Sequence, residues 1–136
     1  MIIDCPPTIS FFTQAAILAS DKYIVPIKPD PLSVVGLPLL ERYIEDCTVD
    51  AGMNLEQVGL VFTMVRSPAP QAMRFVMDDL RRQRKAAVFA PIMNQATAVA
   101  ESVDAHEPVI KFRKTSAKLK MQMLDITQEF VKRTGV

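Results

Sequence analysis

The chain has 136 residues, enough for one domain with a single sizeable core, and its 49% hydrophobic and 23% charged residues exclude a disordered or fibrous chain. A net charge of +1 conceals an asymmetry, −5 over residues 1–65 and +6 over residues 66–136. Such a split marks either an anion-binding face, nucleic acid included, or ordinary solvated helix faces. Residues 1–136 are therefore read as a single domain. No run of 18 apolar residues and no secretory leader pattern is visible, so the expected location is the cytoplasm, without membrane contact. Cys5 and Cys47 are far apart, which predicts reduced thiols, and a lone His106 without C-x-x-C spacing assembles no zinc site.

Along the chain, Met1 to Asp4 is an apolar run ended by an acid. Pro6 and Pro7 can continue neither ladder nor helix, so the stretch reads as a strand followed by a loop. Thr8 is the expected cap of a helix over about 9–20, with Ile9, Phe12, Ala16 and Ala19 at helical spacing. Tyr23 to Ile27 is a second strand, closed by the Pro-rich "KPDPLS". Gly36 to about Cys47 is helical by the spacing of Leu40, Tyr43, Ile44 and Cys47, and "DAGMN" ends it with a glycine. "VGLVFTMV", Val58 to Val65, is a continuous β-rich run of the kind found in strands covered on both faces. From Pro70 to Lys85, Met73, Val76, Met77 and Leu80 form a buried stripe. "AAVFAPIM" is a fourth strand, "NQATAVAESVDA" a short helix and "EPVIKF" an extended piece. Ser116 caps a last helix with Leu119, Met123, Ile126 and Phe130 on one side.

Strands alternating with helices predict right-handed βαβ units. The fold class is α/β: a partial doubly wound, mostly parallel sheet of about four strands with helices on both faces. Ligands of such sheets sit beyond the carboxyl ends of the strands. Asp4 and the loops after Ile27, Val65 and Phe89 should gather there. An acid at a strand end facing that crevice suits a water of a Mg²⁺ shell, or simply accepts hydrogen bonds from its own loop.

"IIDCPP", the Ala-rich helix after it, and "DKYIVPIKPDPLSVVGLPLLERYIE" together resemble the ParA/MinD/Soj partition ATPases from their Walker B strand onward. Ala19-Ser20-Asp21, Val25-Pro26-Ile27 and Gly36-Leu37 match that family's motifs in order and spacing, "VGLVFTMV" its "G-V-x-x-T-M" strand, and "AVAESVDAHEPV" its "L-A-E-A-x-x-x-G-K-P-V" segment. The resemblance covers nearly the whole chain and implies a P-loop NTPase-like fold using ATP and Mg²⁺. It implies that Asp4 holds the Mg²⁺-bound water, that Cys5, Pro6 and Pro7 sense the γ-phosphate, and that Thr63, Met64 and Asn94 lie near the adenine. Pro6-Pro7 reads equally as a rigid turn, and Thr63-Met64 as core packing at a strand end.

Two departures stand out. The arginines of the family's "I-P-R-N-x-R-L-A-E-A" segment fall on Gln95 and Ala98. Basic charge for DNA could instead sit on Arg81, Arg82, Arg84 and Lys85, or on Lys111, Arg113, Lys114, Lys118 and Lys120. The family's Gly-rich K-G-G-x-x-K-S/T loop has no counterpart among Gly36, Gly52, Gly59 and Gly135. The expectation is a C-terminal portion of a partition ATPase that lacks the N-terminal half, binds ATP weakly alone, has no catalytic residue of its own and does not hydrolyse ATP in isolation. By resemblance, it would dimerise with itself or a ParA-like partner, bind DNA non-specifically on the bacterial nucleoid and meet a partition adaptor. The alternatives are a P-loop-free regulatory module pairing with a full-length ParA-like partner or DNA, and an inactive remnant.

Overall fold

Three stretches pair into one parallel sheet: β1 (Lys22–Ile27), β2 (Glu56–Val65) and β3 (Val88–Asn94), ordered β1-β2-β3. The computed structural model describes residues 1–5 and 8–135. Around the sheet lie α1 (Phe11–Leu18), α2 (Pro31–Asp50), α3 (Gln71–Gln83), α4 (Thr97–Asp104) and α5 (Ala117–Thr134). The α/β class with a parallel sheet, read from the alternation of elements, is the class that forms.

Two successive crossovers of one hand, moving the same way across a sheet, put their helices on one face. Leu37 of α2 and Met73, Val76, Met77 and Leu80 of α3 accordingly pack with Val25, Ile27, Leu60 and Phe62. On the opposite face, Ile126 and Phe130 of α5 pack against Val58, Val61 and Phe89. The α1 helix is anchored on α2, where Ile17 meets Ile44 and Cys47.

Strict alternation along β2 would place Val58 with Leu60 and Phe62, yet Val58 faces α5 and the other two face α3. A bulge causes the switch: Tyr23 pairs with Gln57, but Ile24 pairs with Gly59. Gly59 has φ 151, and a Cβ there would lie 2.3 Å from the Ala87 carbonyl oxygen. A side chain at this position would collide with backbone that cannot move aside, so glycine is required.

Several local expectations are corrected. The strand expected over Met1–Asp4 does not form; the segment is exposed and unpaired among the described residues. Its β-branched residues favour extended backbone, but a strand is completed only by a neighbour's ladder, and no described strand supplies one. Ser10, not Thr8, caps α1 by accepting from the Thr13 N–H, while Thr8 contributes its carbonyl to the Thr13 hydroxyl at 2.6 Å. Thr13 and Ile17 are the buried residues of α1, whereas Ile9 and Phe12 are exposed. Helix α2 starts inside "KPDPLS", because Asp30 accepts from the Ser33 N–H at 2.9 Å and the fixed φ of Pro31 suits a first helical position. The "EPVIKF" stretch is a turn rather than an extended piece: Lys111 N–H donates to the Pro108 carbonyl at 2.8 Å.

Candidate functional site

The carboxyl ends of β1, β2 and β3 are Ile27, Val65 and Asn94. Ligands of open α/β sheets bind beyond this end, where the strand order reverses; the three described strands run in one direction without a reversal. Asn94 pairs with Val65, and its Nδ2 donates to the Val65 carbonyl at 2.9 Å. The Gln95 N–H reaches the same oxygen at 2.9 Å, which fills both of its lone pairs. From α5, Gln122 Nε2 donates to Asn94 Oδ1 at 2.6 Å, and Gln122 Oε1 accepts from the Asn94 N–H at 3.1 Å. These bonds leave the Asn94 side chain one amide hydrogen and one carbonyl lone pair.

One residue before Val65, Met64 has φ 54 and a side chain 50% exposed. The left-handed region is uncommon for a non-glycine residue and turns the chain sharply at the mouth of the sheet. Thr63 is half-buried beside it. The structure thus brings Thr63, Met64 and Asn94 together on two adjacent strand ends. Asp4 and Cys5 are exposed on unpaired backbone and make no hydrogen bond to that group among the described residues; Pro6 and Pro7 lie outside the described residues. At the end of β1, Lys28 pairs with Asp30 at 3.3 Å. The Ser33 backbone N–H, followed by the Ser33 side chain and Lys28, holds the Asp30 carboxyl below its ordinary range.

The two basic clusters differ in how their charges are used. Arg84 makes a two-bond pair with Glu41, its Nη2 donating at 2.8 Å, and Gln57 donates to the same carboxylate at 3.3 Å. Arg82 pairs with Asp79 at 2.5 Å. Arg81 donates to the Ala90 carbonyl at 3.1 Å and lies 5.5 Å from the centre of the buried Phe62 ring. Only Lys85 of that cluster lacks a side-chain partner among the described residues. In the second cluster Lys114 pairs with Glu101 at 2.8 Å. Lys111, Arg113, Lys118 and Lys120 have no such partner among the described residues.

Helix α5 runs antiparallel to the strands. Gln122 meets Asn94 at the carboxyl end of β3, while Arg133 donates to the carbonyls of Val58 at 3.1 Å and Val88 at 3.0 Å near the amino ends of β2 and β3. Lys118 and Lys120 consequently sit at the same end of the sheet as Met64 and Asn94.

A sequence-family model for an AAA domain matches residues 1–57. The chain is 30% identical over 114 residues to the chromosome partitioning protein ParA of Myxococcus xanthus, an alignment covering 82% of this chain and 39% of that protein. Over most of its length the chain is similar to ParA/Soj partition proteins. It is 24% identical over 128 residues to the virulence plasmid ParA family protein pGP5-D of Chlamydia muridarum, covering 94% and 46% of the two chains. With the sporulation initiation inhibitor protein Soj of Bacillus subtilis it shares 22% over 129 residues, covering 95% and 50%. It spans half or less of the length of each of these relatives.

The donor set for a metal is sparse. No group of three or more His, Cys, Asp and Glu side chains converges among the described residues. Mg²⁺ carried mainly by phosphates and waters needs only one or two carboxylates; Asp4 is an exposed carboxylate on unpaired backbone. No helix among the described residues is long and apolar enough to cross a membrane. At the family's two arginine positions, Gln95 is exposed but Ala98 is buried, so this backbone would not present a cation at 98 to a partner. Sequence reasoning missed Gln122 and Arg133. Their signal is the polar stripe Gln122, Glu129, Arg133, spaced by seven and four beside the apolar stripe of α5.

Proposed function

We propose that this chain works as a ParA-family protein in ATP-dependent DNA partition, the carboxyl ends of its strands facing nucleotide and its segment Lys111–Lys120 holding the DNA backbone without sequence preference. The observation behind this reading is the placement of Lys118 and Lys120. Both lie in the first turns of α5, which has no acid in its first turn, at the sheet end shared with Thr63, Met64 and Asn94. Cations at a helix N-terminus oppose the macrodipole and cost stability, but they concentrate positive potential where a phosphate gains from it. Lys111 and Arg113 extend the same positive surface, whereas Arg81 and Arg84 are held against the sheet and α2, and Arg82 is paired with Asp79.

In this reading Asp4 contributes a carboxylate to phosphate-held Mg²⁺, Cys5, Pro6 and Pro7 face the γ-phosphate, and Asn94 offers its remaining amide donor and acceptor to the base. Residues 1–136 act as a single domain, and a second copy or another ParA-like chain is the partner, with a partition adaptor and the nucleoid as the setting. Calorimetric titration of the chain with Mg²⁺-ATP tests the nucleotide half. Without a Gly-rich phosphate loop the expected result is weak binding, saturable only at high ligand and removed by Asp4→Ala; no heat at any concentration from a chain shown to be folded would overturn it.

A second reading, a regulatory module that pairs with a full-length ParA-like partner, draws on different surfaces. Ile2, Ile9, Phe11 and Phe12 are exposed, and β1 has an unpaired outer edge among the described residues. Stable co-elution with such a partner, lost in Phe11→Ser/Phe12→Ser, would favour it.

A further inference from the structure

An edge strand presents alternate backbone N–H groups to whatever lies beside it. On β3, two of these are taken by side chains of α5: Ala90 N–H donates to Glu129 Oε2 at 3.1 Å and Asn94 N–H to Gln122 Oε1 at 3.1 Å. The two contacts differ in kind. Glu129 gives Ala90 an acceptor and is itself held by Arg133, whose Nε donates to Glu129 Oε1 at 2.9 Å. Gln122 gives Asn94 an acceptor and a donor at once, so one side chain fixes both the backbone and the amide of Asn94. The amide, thus oriented, reaches across to the Val65 carbonyl next to the left-handed Met64.

We propose that Gln122 is a positioning residue: through its two bonds to Asn94 it fixes the strand-end position that the nucleotide reading gives to the base and joins it to the helix turns that carry Lys118 and Lys120. A glutamate at 122 would keep the acceptor for the Asn94 N–H but offer no donor to Asn94 Oδ1, so it should act between wild type and alanine. An alanine leaves both groups of Asn94 to water and frees the amide to rotate. The link to the base rests on the nucleotide reading above; the joint itself does not.

Residue-resolved amide hydrogen exchange on the 136-residue chain tests the joint. In Gln122→Ala, exchange at Asn94 and Gln95 should rise about five- to tenfold, and in Gln122→Glu by less. Asn94→Ala should speed exchange over Lys120–Gln122, and the double variant should add little to either single change. Protection over Phe130–Thr134 should hold, because Arg133 anchors that end. Unchanged protection at Asn94 and Gln95, or a uniform rise that includes Phe130–Thr134, would overturn the joint. In the nucleotide arm, Gln122→Ala should weaken Mg²⁺-ATP more than inorganic triphosphate; equal losses would overturn the base-side claim. A wild-type chain that binds neither would sink the nucleotide reading, while the exchange result would still decide the joint.

Discussion

Arg81–Lys85 at the end of α3 and Lys111–Lys120 before and within α5 are similarly basic as sequence, but the fold uses them differently. The α3 run follows the buried Met77 and Leu80, so Arg81 reaches the Ala90 carbonyl of the sheet and Arg84 reaches Glu41 of α2, while the exposed Arg82 pairs with Asp79 of its own helix. Arg81 and Arg82 also occupy the last turn of their helix, where a cation suits the macrodipole. The second run occupies a turn and the start of α5, and its cations, apart from Lys114, have no internal partner among the described residues. Arg81 and Arg84 of the first set serve stability. The second set opposes the helix dipole, an arrangement a fold keeps more readily when an external anion compensates for it.

Each half of that contrast can be broken by substitution. The largest effect should come from Arg84→Ala, which removes a partly buried two-bond pair and leaves Glu41 with Gln57 alone; we expect a loss of about 2 kcal/mol in urea unfolding. Arg81→Ala should cost about 1 kcal/mol, from its bond to Ala90 and its stacking over Phe62. Lys118→Glu should do the opposite, raising stability by about 0.5 kcal/mol while weakening DNA binding. A stability loss there would mean that α5 depends on its lysines. The smallest effect is in the pH profile of the α3 side. Burial, and then the neighbouring Glu41, raise the Tyr23 phenol above its ordinary value. A raised folded value contributes stability that is present below the unfolded value and is lost as pH rises through the folded one. Tyr23→Phe should therefore lessen the alkaline loss of stability above about pH 10 and leave the neutral range unchanged.

Much of the fold was legible because periodicity reports burial directly. Met73, Val76, Met77 and Leu80 were expected inside and are inside, and the parallel sheet follows from alternating strands and helices. What the pattern missed depends on partners distant in sequence. The apolar run Met1–Asp4 looks like a strand, yet a strand exists only where a neighbour completes its ladder. Val58 changes face because Ala87 forces a glycine bulge at 59, which local alternation does not reveal. The family motifs brought Thr63, Met64 and Asn94 to notice, and the three lie at adjacent strand ends. Gln122 escaped because its meaning lies in Asn94, 28 residues away. The basic clusters could not be ranked by sequence, since Glu41 is 43 residues from the Arg84 it neutralises.

The most direct test of the account is the salt dependence of duplex DNA binding, followed by fluorescence anisotropy for the wild-type chain, Lys118→Ala/Lys120→Ala and Arg82→Ala/Lys85→Ala. Each phosphate contact contributes about 0.9 to the slope of log affinity against log salt. The account predicts that the α5 pair lowers the slope by about 2 and that the α3 pair leaves it nearly unchanged. A slope that falls for the α3 pair alone, or no binding by the wild-type chain at low salt, would contradict it.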